Sequence, residues 1–209
     1  AVPGNSGNRK GGNQPADVEA PLPPGLDYKW SLGATVGGAA NLSVGHGLFP
    51  KDGTLVKIDA DFFIAPKSKI GFQAYAAFQN FQRGSVLDSS LNVVDVGGGL
   101  FWHGRIAGNL FFSPMAGAHF AFLTPNFAAD SFVTFGFRAE ATLKWVLGNH
   151  VISLTPASFG LYLPVAGELV SGNETAGDLR LDRAGATFGA GVGYTYRFRD
   201  SFYQILTLE

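Results

Sequence analysis

The chain of 209 residues contains no cysteine, which excludes disulfide bonds and thiolate metal sites. Charged residues are also scarce: they make up 15% of the chain, against roughly 25% in an average soluble domain. A water-exposed surface is normally covered by Lys, Arg, Asp and Glu, so a soluble body of this size would be poorly coated. The net charge of −1 and the lack of a basic cluster give no basis for binding nucleic acid.

Long hydrophobic runs are missing as well. No stretch of 18 consecutive apolar residues occurs, and a membrane-spanning helix is therefore excluded. The chain does have an ordinary hydrophobic content of 46% and an unusually high number of glycines, 29. The arrangement of these apolar residues, rather than their number, indicates the fold.

Apolar and polar residues alternate along the segment 183–198, which predicts a β-strand with one apolar face. Seven earlier segments alternate in the same way: 28–44, 54–65, 70–83, 91–103, 106–122, 132–145 and 151–163. In the last of these the alternation changes phase near Pro156, as a β-bulge would produce. The pattern predicts eight strands and an all-β fold.

The predicted connections alternate in length. Short turns, "PKSK", "GR" and "VLGNH", follow the second, fourth and sixth strands, and longer segments follow the others, ending with residues 164–182. This regularity indicates an eight-stranded antiparallel up-and-down barrel with short turns at one end and loops at the other.

Alternation does not by itself decide whether the apolar face of such a barrel points inward or outward, because a soluble lipocalin-like barrel alternates with its apolar face inward. The polar face here is mostly Gly, Ser, Thr, Gln and Asn, which would make a poor soluble surface. Every strand is long enough to cross a bilayer, and a closed barrel pairs all its backbone groups. Aromatic residues gather at the short-turn end, as at a membrane–water interface: Trp30, Trp102, Trp145, Tyr194, Tyr196 and Phe198. We therefore expect the apolar face to meet lipid.

The stretch "GVGYTYRF", residues 191–198, resembles the C-terminal assembly signal of bacterial outer-membrane barrels. Eight strands within 27–198, with short turns and long loops, are similar to the small OmpA/OmpX-type family. The resemblance implies an integral protein of the bacterial outer membrane with both termini on the periplasmic side. Two segments lie outside it. Residues 1–26, rich in Gly, Pro and Asn, are expected to form a flexible extension, and 199–209 a tail or strand extension, with Leu208-Glu209 resembling a tag remnant.

Charged residues on the polar face would lie inside the barrel. They are Lys57, Asp59, Asp61, Asp95, Arg138, Glu140, Lys144, Arg183 and Arg197. An eight-stranded barrel has little interior room beyond its side chains, and buried charges require partners. The sequence thus predicts a paired charge network that plugs the lumen. A narrow selective pathway lined by the same groups is the alternative.

Catalytic signals are weak. His46 with Asp52 has the composition of a loop-borne acyltransferase dyad, whereas His150 and Ser153 point to opposite faces of a strand and cannot act together. No metal or cofactor motif occurs. The sequence does not exclude a lipid-modifying barrel enzyme, but it favours a protein without catalysis, metal or cofactor.

The expected function is a structural anchor or interaction scaffold in the cell envelope. The predicted partners are outer-membrane lipid and envelope proteins, the latter through the N-terminal extension or the 164–182 loop. A narrow channel for small solutes is the second hypothesis, and a soluble lipocalin-like binder of hydrophobic ligands is the third.

Overall fold

A computed structural model describes residues 28–44, 52–64, 68–82, 90–126, 131–164, 169–170, 179–180 and 183–198. The strands in these ranges are β1 (Trp30–Asn41), β2 (Asp52–Phe63), β3 (Ile70–Gln82), β4 (Ser90–Trp102), β5 (Gly104–Ala107), β6 (Leu110–Pro125), β7 (Phe132–Leu147), β8 (His150–Tyr162), β9 (Leu169–Val170), β10 (Leu179–Arg180) and β11 (Gly185–Phe198). None of the described ranges contains a helix long and apolar enough to cross a membrane. The predicted extension, the tail and His46 lie outside the described residues.

Eight long strands form one closed antiparallel sheet. The order is β4-β3-β2-β1-β11-β8-β7-β6, and β4 pairs with β6 to close the ring. The first and last strands are neighbours, with Trp30 opposite Phe198. The predicted eight-stranded up-and-down barrel is confirmed. We call the end with the short connections the turn end and the opposite end the loop end.

The turn between the fourth and fifth predicted strands is not where the sequence suggested. It was expected at Gly104-Arg105, but these residues belong to β5, which pairs with the start of β6. The chain reverses instead at Gly108-Asn109, and β7 and β8 are joined by the same dipeptide at Gly148-Asn149. Both glycines have positive φ, 51° and 63°, as two-residue hairpin turns require.

The phase change near Pro156 is a β-bulge. Ala157 pairs with Ala141 of β7, but the next pair is Leu154 with Leu143, so two residues of β8 face one residue of β7. Proline lacks a backbone donor and is tolerated at such a position. The bulge explains how one strand keeps its apolar residues outside along its whole length.

The apolar face of every long strand lies on the outside of the barrel. Val36, at the middle of β1, is 55% exposed, and Ile58 and Val192 on the flanking strands are 57% and 55% exposed. The polar face is buried inside. This is the reverse of a soluble lipocalin-like barrel, so that alternative is wrong, and the exterior is suited to lipid.

The interior is less polar than the sequence suggested. At the loop end, inward positions are apolar and fully buried, in a group that we call the loop-end cluster: Val44, Leu55, Phe81, Leu91, Val93, Ala121 and Leu123. Asn41, Thr134 and Thr187 are also buried at this end, so it is the charged residues of the interior that lie toward the middle of the barrel and the turn end.

Candidate functional site

Seven of the charged residues predicted to lie inside the barrel come together there, in what we call the lumen network. They are Lys57, Asp59, Asp61, Asp95, Arg138, Glu140 and Lys144, and none is more than 8% exposed. Three of them alternate along β2 and three along β7. Period-2 geometry alone directs them to the same side of the sheet.

Arg138 joins the larger part of the network. Its Nη1 lies 2.9 Å from Oδ2 of Asp95, and its Nε donates to Oε1 of Glu140 over 2.8 Å. The other oxygen of Glu140 accepts a hydrogen bond from Nζ of Lys57, which also lies 3.6 Å from Oδ1 of Asp59. Five charges of alternating sign thus form a continuous chain across the interior, an arrangement in which each buried charge has an opposite neighbour.

Lys144 and Asp61 form a second ion pair. Nζ of Lys144 lies 2.6 Å from Oδ2 of Asp61. Gln73 donates to the other carboxylate oxygen over 2.7 Å, and the hydroxyl of Ser31 lies 3.4 Å from Oδ2. Three elements, β1, β3 and β7, therefore supply partners to one carboxylate on β2.

Uncharged side chains complete the surroundings of Asp95. Gln79 and Tyr162 donate to its Oδ2 over 3.0 and 3.2 Å. Its Oδ1 lies 3.8 Å from Nε2 of His119, whose Nδ1 is 3.1 Å from the hydroxyl of Tyr75. Sequence reasoning did not assign these residues to the network. The sequence did contain a signal for them, because the strand alternation places them on the same inward face as the charged residues.

Aromatic rings fill the interior at the turn end. In this turn-end cluster His103 stacks on Phe111 with ring centroids 4.5 Å apart, and Phe63 and Tyr28 approach it edge-on at 6.0 and 6.5 Å. His103 is 1% exposed, and neither ring nitrogen has a hydrogen-bond partner among the described residues. The cluster lies beyond the Lys144–Asp61 pair toward the turn end of the barrel, since Phe63 follows Asp61 by two residues on β2.

The two remaining predicted network residues lie elsewhere. Arg197 is buried beside the turn-end cluster, with its guanidinium 4.7 Å above the ring of Tyr28 and a hydrogen bond to the carbonyl oxygen of Gly148. Arg183 is exposed, and its assignment to the lumen is wrong. The reason is that β11 begins only at Gly185, so the alternation at 183 falls before the sheet.

The predicted interface aromatics all lie at the turn end. Trp102, Trp145, Tyr194 and Tyr196 are 42%, 59%, 50% and 36% exposed on the outer surface. Trp30 is half-buried because its ring stacks on Phe198 at 3.9 Å between centroids. These residues form a belt of rings on the outside of the barrel where the strands end.

No catalytic arrangement is formed by the described residues that sequence reasoning considered. His150 lies on the outer surface and bonds to the hydroxyl of Tyr194 over 2.5 Å, whereas Ser153 points inward. Within the described ranges, no three His, Asp or Glu side chains are placed to hold a metal ion.

Comparison with known proteins supports the fold. No protein-family model matches the chain, and no curated protein sequence matches it. Among solved structures, Neisserial surface protein A (NspA) matches with a TM-score of 0.59 and 10% identity over 81% of this chain and 97% of that one. A major outer membrane protein of Thermus thermophilus matches with a TM-score of 0.48 and 11% identity, over 80% and 99% of the two chains. The likeness to NspA shows that this chain has the fold of a small outer-membrane β-barrel.

Proposed function

We propose that the protein is an integral barrel of the bacterial outer membrane whose lumen is closed and which acts as an anchor or interaction scaffold. The lumen network is the observation that carries this proposal. Its charges are paired across the barrel rather than lining an open path, and an eight-stranded barrel leaves little space between them. The apolar loop-end cluster adjoins the network at one end, and the aromatic turn-end cluster adjoins it at the other.

Paired charges suit a structural role better than conduction. A passing ion would have to break the contacts of Arg138 with Asp95 and Glu140, and each separated charge would then be buried without a partner. At the loop end it would also have to cross Leu55, Phe81 and Leu91, which are at most 3% exposed. Both barriers argue against the narrow-channel hypothesis for the folded barrel.

A closed barrel leaves its outer segments as the parts that can meet other molecules. The segment 164–182 contains Glu168, Glu174, Asp178, Arg180 and Asp182, which make it acidic on balance. Residues 1–26 form a second such segment, which precedes the first strand of the barrel in the sequence. We propose that these two segments contact envelope proteins while the barrel holds them at the membrane.

Site-specific photocrosslinking in cells tests the scaffold. A photoreactive residue is placed at Asn173 within 164–182, at Asn13 within 1–26, or at Phe120 on the lipid-facing wall as the matched control. The proposal predicts a discrete protein adduct from Asn173 or Asn13 and none from Phe120. Absence of a protein adduct from both segments, in barrels that resist heat-induced unfolding on gels, would contradict the scaffold role.

A further inference from the structure

Three exposed basic residues lie at the turn end of the barrel. Lys29 precedes β1, Lys69 precedes β3, and Arg105 lies in β5. Among the described residues at this end, none of the exposed side chains is acidic. The described residues of this end therefore form a rim with a net positive charge.

These residues follow one another around the barrel. The carbonyl of Lys29 accepts a hydrogen bond from the backbone of Phe63 at the end of β2, and the carbonyl of Lys69 accepts one from His103 at the end of β4. Arg105 follows two residues later, and its Nε donates to the carbonyl of Gly108 over 2.6 Å. The three side chains thus occupy one continuous arc over β1 to β5, which we call the basic arc.

The basic arc lies just beyond the aromatic belt. Lys29 is next to Trp30, Lys69 neighbours Ile70, which pairs with Trp102, and Arg105 comes three residues after Trp102. Since a strand rises about 3.3 Å per residue, the charges lie roughly 3–10 Å farther out than the rings. Indole rings favour the boundary between hydrocarbon and headgroups, so the next layer outward is that of the lipid phosphates.

From this placement we propose that the basic arc binds the phosphate groups of anionic phospholipids in the leaflet that surrounds the turn end. Lysine and arginine near a membrane surface attract anionic lipid, and a guanidinium can contact a phosphate through two donors. Lys29, Lys69 and Arg105 would select these lipids over zwitterionic ones. The inference goes beyond the scaffold role and depends only on the membrane placement proposed above.

The three tryptophans provide a direct assay, because Trp30, Trp102 and Trp145 are the only ones in the chain and all lie at the turn end. The full chain is refolded into vesicles that contain equal amounts of phosphatidylglycerol and phosphatidylcholine. One lipid at a time carries brominated acyl chains, which quench nearby tryptophan fluorescence. We expect brominated phosphatidylglycerol to quench more strongly than brominated phosphatidylcholine. If each headgroup makes one basic contact, the apparent preference for phosphatidylglycerol should be roughly fivefold. Added salt should reduce it.

Substitutions assign the preference to the basic arc. Lys29→Gln, Lys69→Gln and Arg105→Gln together should lower the ratio to about one, whereas Arg183→Gln at the loop end should leave it unchanged. The Lys29→Arg and Lys69→Arg pair keeps the charge and should keep the preference. Equal quenching by both lipids in the unaltered chain would overturn the inference. Lack of quenching by either lipid would instead show that the membrane placement itself is wrong, and the inference would fall with it.

Discussion

The guanidinium of Arg138 on β7 and the carboxylate of Asp95 on β4 meet inside the barrel, with Nη1 2.9 Å from Oδ2. Their strands are not neighbours, because β6 lies between them in the sheet. The contact therefore crosses the interior instead of running along the wall. It joins Asp95 on β4 to the charges of β2 and β7, two strands that face each other across the barrel.

Removing this guanidinium should strongly destabilise the barrel. Arg138→Met would leave the Asp95 and Glu140 carboxylates without their shared cation, and loss of one partner of a buried pair costs about 3–5 kcal/mol. Urea unfolding in lipid vesicles measures the change. Phe137→Leu, one residue away on the lipid-facing side, is the matched control and should cost much less. A loss below about 1 kcal/mol for Arg138→Met would mean that water or another group solvates the two carboxylates.

The Lys144–Asp61 pair should show a favourable coupling energy. Lys144→Met and Asp61→Asn each leave a charge that has lost its partner, while the double variant leaves none. We expect the double variant to be more stable than the sum of the two single losses predicts, by about 0.5–3 kcal/mol. The same unfolding experiment completes the cycle. Strict additivity would show that the 2.6 Å contact does not contribute to stability.

Gly136 should not tolerate a side chain. A Cβ there would lie 2.4 Å from Nε2 of His119 and 2.4 Å from the carbonyl oxygen of Leu161. Gly136→Ala should therefore cost about 1–3 kcal/mol through overpacking and should disturb the contact of His119 with Tyr75. Gly38→Ala serves as the control, since its nearest neighbour would be 3.9 Å away. Equal stabilities of the two variants would place the His119 ring elsewhere.

The lipid-facing side can be tested by burying a charge in hydrocarbon. Val36 lies at mid-strand and is 55% exposed, whereas Ile70 lies at the turn-end rim and is 47% exposed. Val36→Arg should cost about 2–4 kcal/mol and Ile70→Arg about 0–1 kcal/mol, because the penalty falls with distance from the bilayer midplane. Unfolding in vesicles compares the two. Equal and small penalties would mean that water, not lipid, covers the mid-strand wall.

Much of this fold is predictable because alternate residues of a barrel strand face the interior and the exterior, so the sequence alternates between residue types suited to each. The alternation that ends at Phe198 and the phase change at Pro156 each corresponded to a structural feature, a strand that closes the barrel and a bulge. The turn at Gly108-Asn109 was missed because Gly104 also interrupts the pattern, and only pairing with β6 distinguishes the two.

The site was less predictable than the fold. Parity placed the side chains of Arg138 and Glu140 inside, but it does not determine which charges meet, since that depends on how far β4 is staggered from β7 around the closed ring. The alternation rule also gave the wrong side for Arg183, because this residue precedes Gly185, the first residue of β11. Inward apolar residues such as Leu55 and Phe81 were overlooked because the outward face was more continuously apolar.

Single-channel recording tests the closed lumen most directly. The full chain, with residues 1–26 present, is refolded in detergent, checked for a heat-dependent shift in gel mobility and inserted into a planar bilayer. We predict no discrete conductance steps from the unaltered protein, because paired charges, the apolar loop-end cluster and the aromatic turn-end cluster occupy the interior. Reproducible steps from folded, inserted protein, altered in size by changes at Arg138 and Glu140, would contradict the closed lumen and establish a channel.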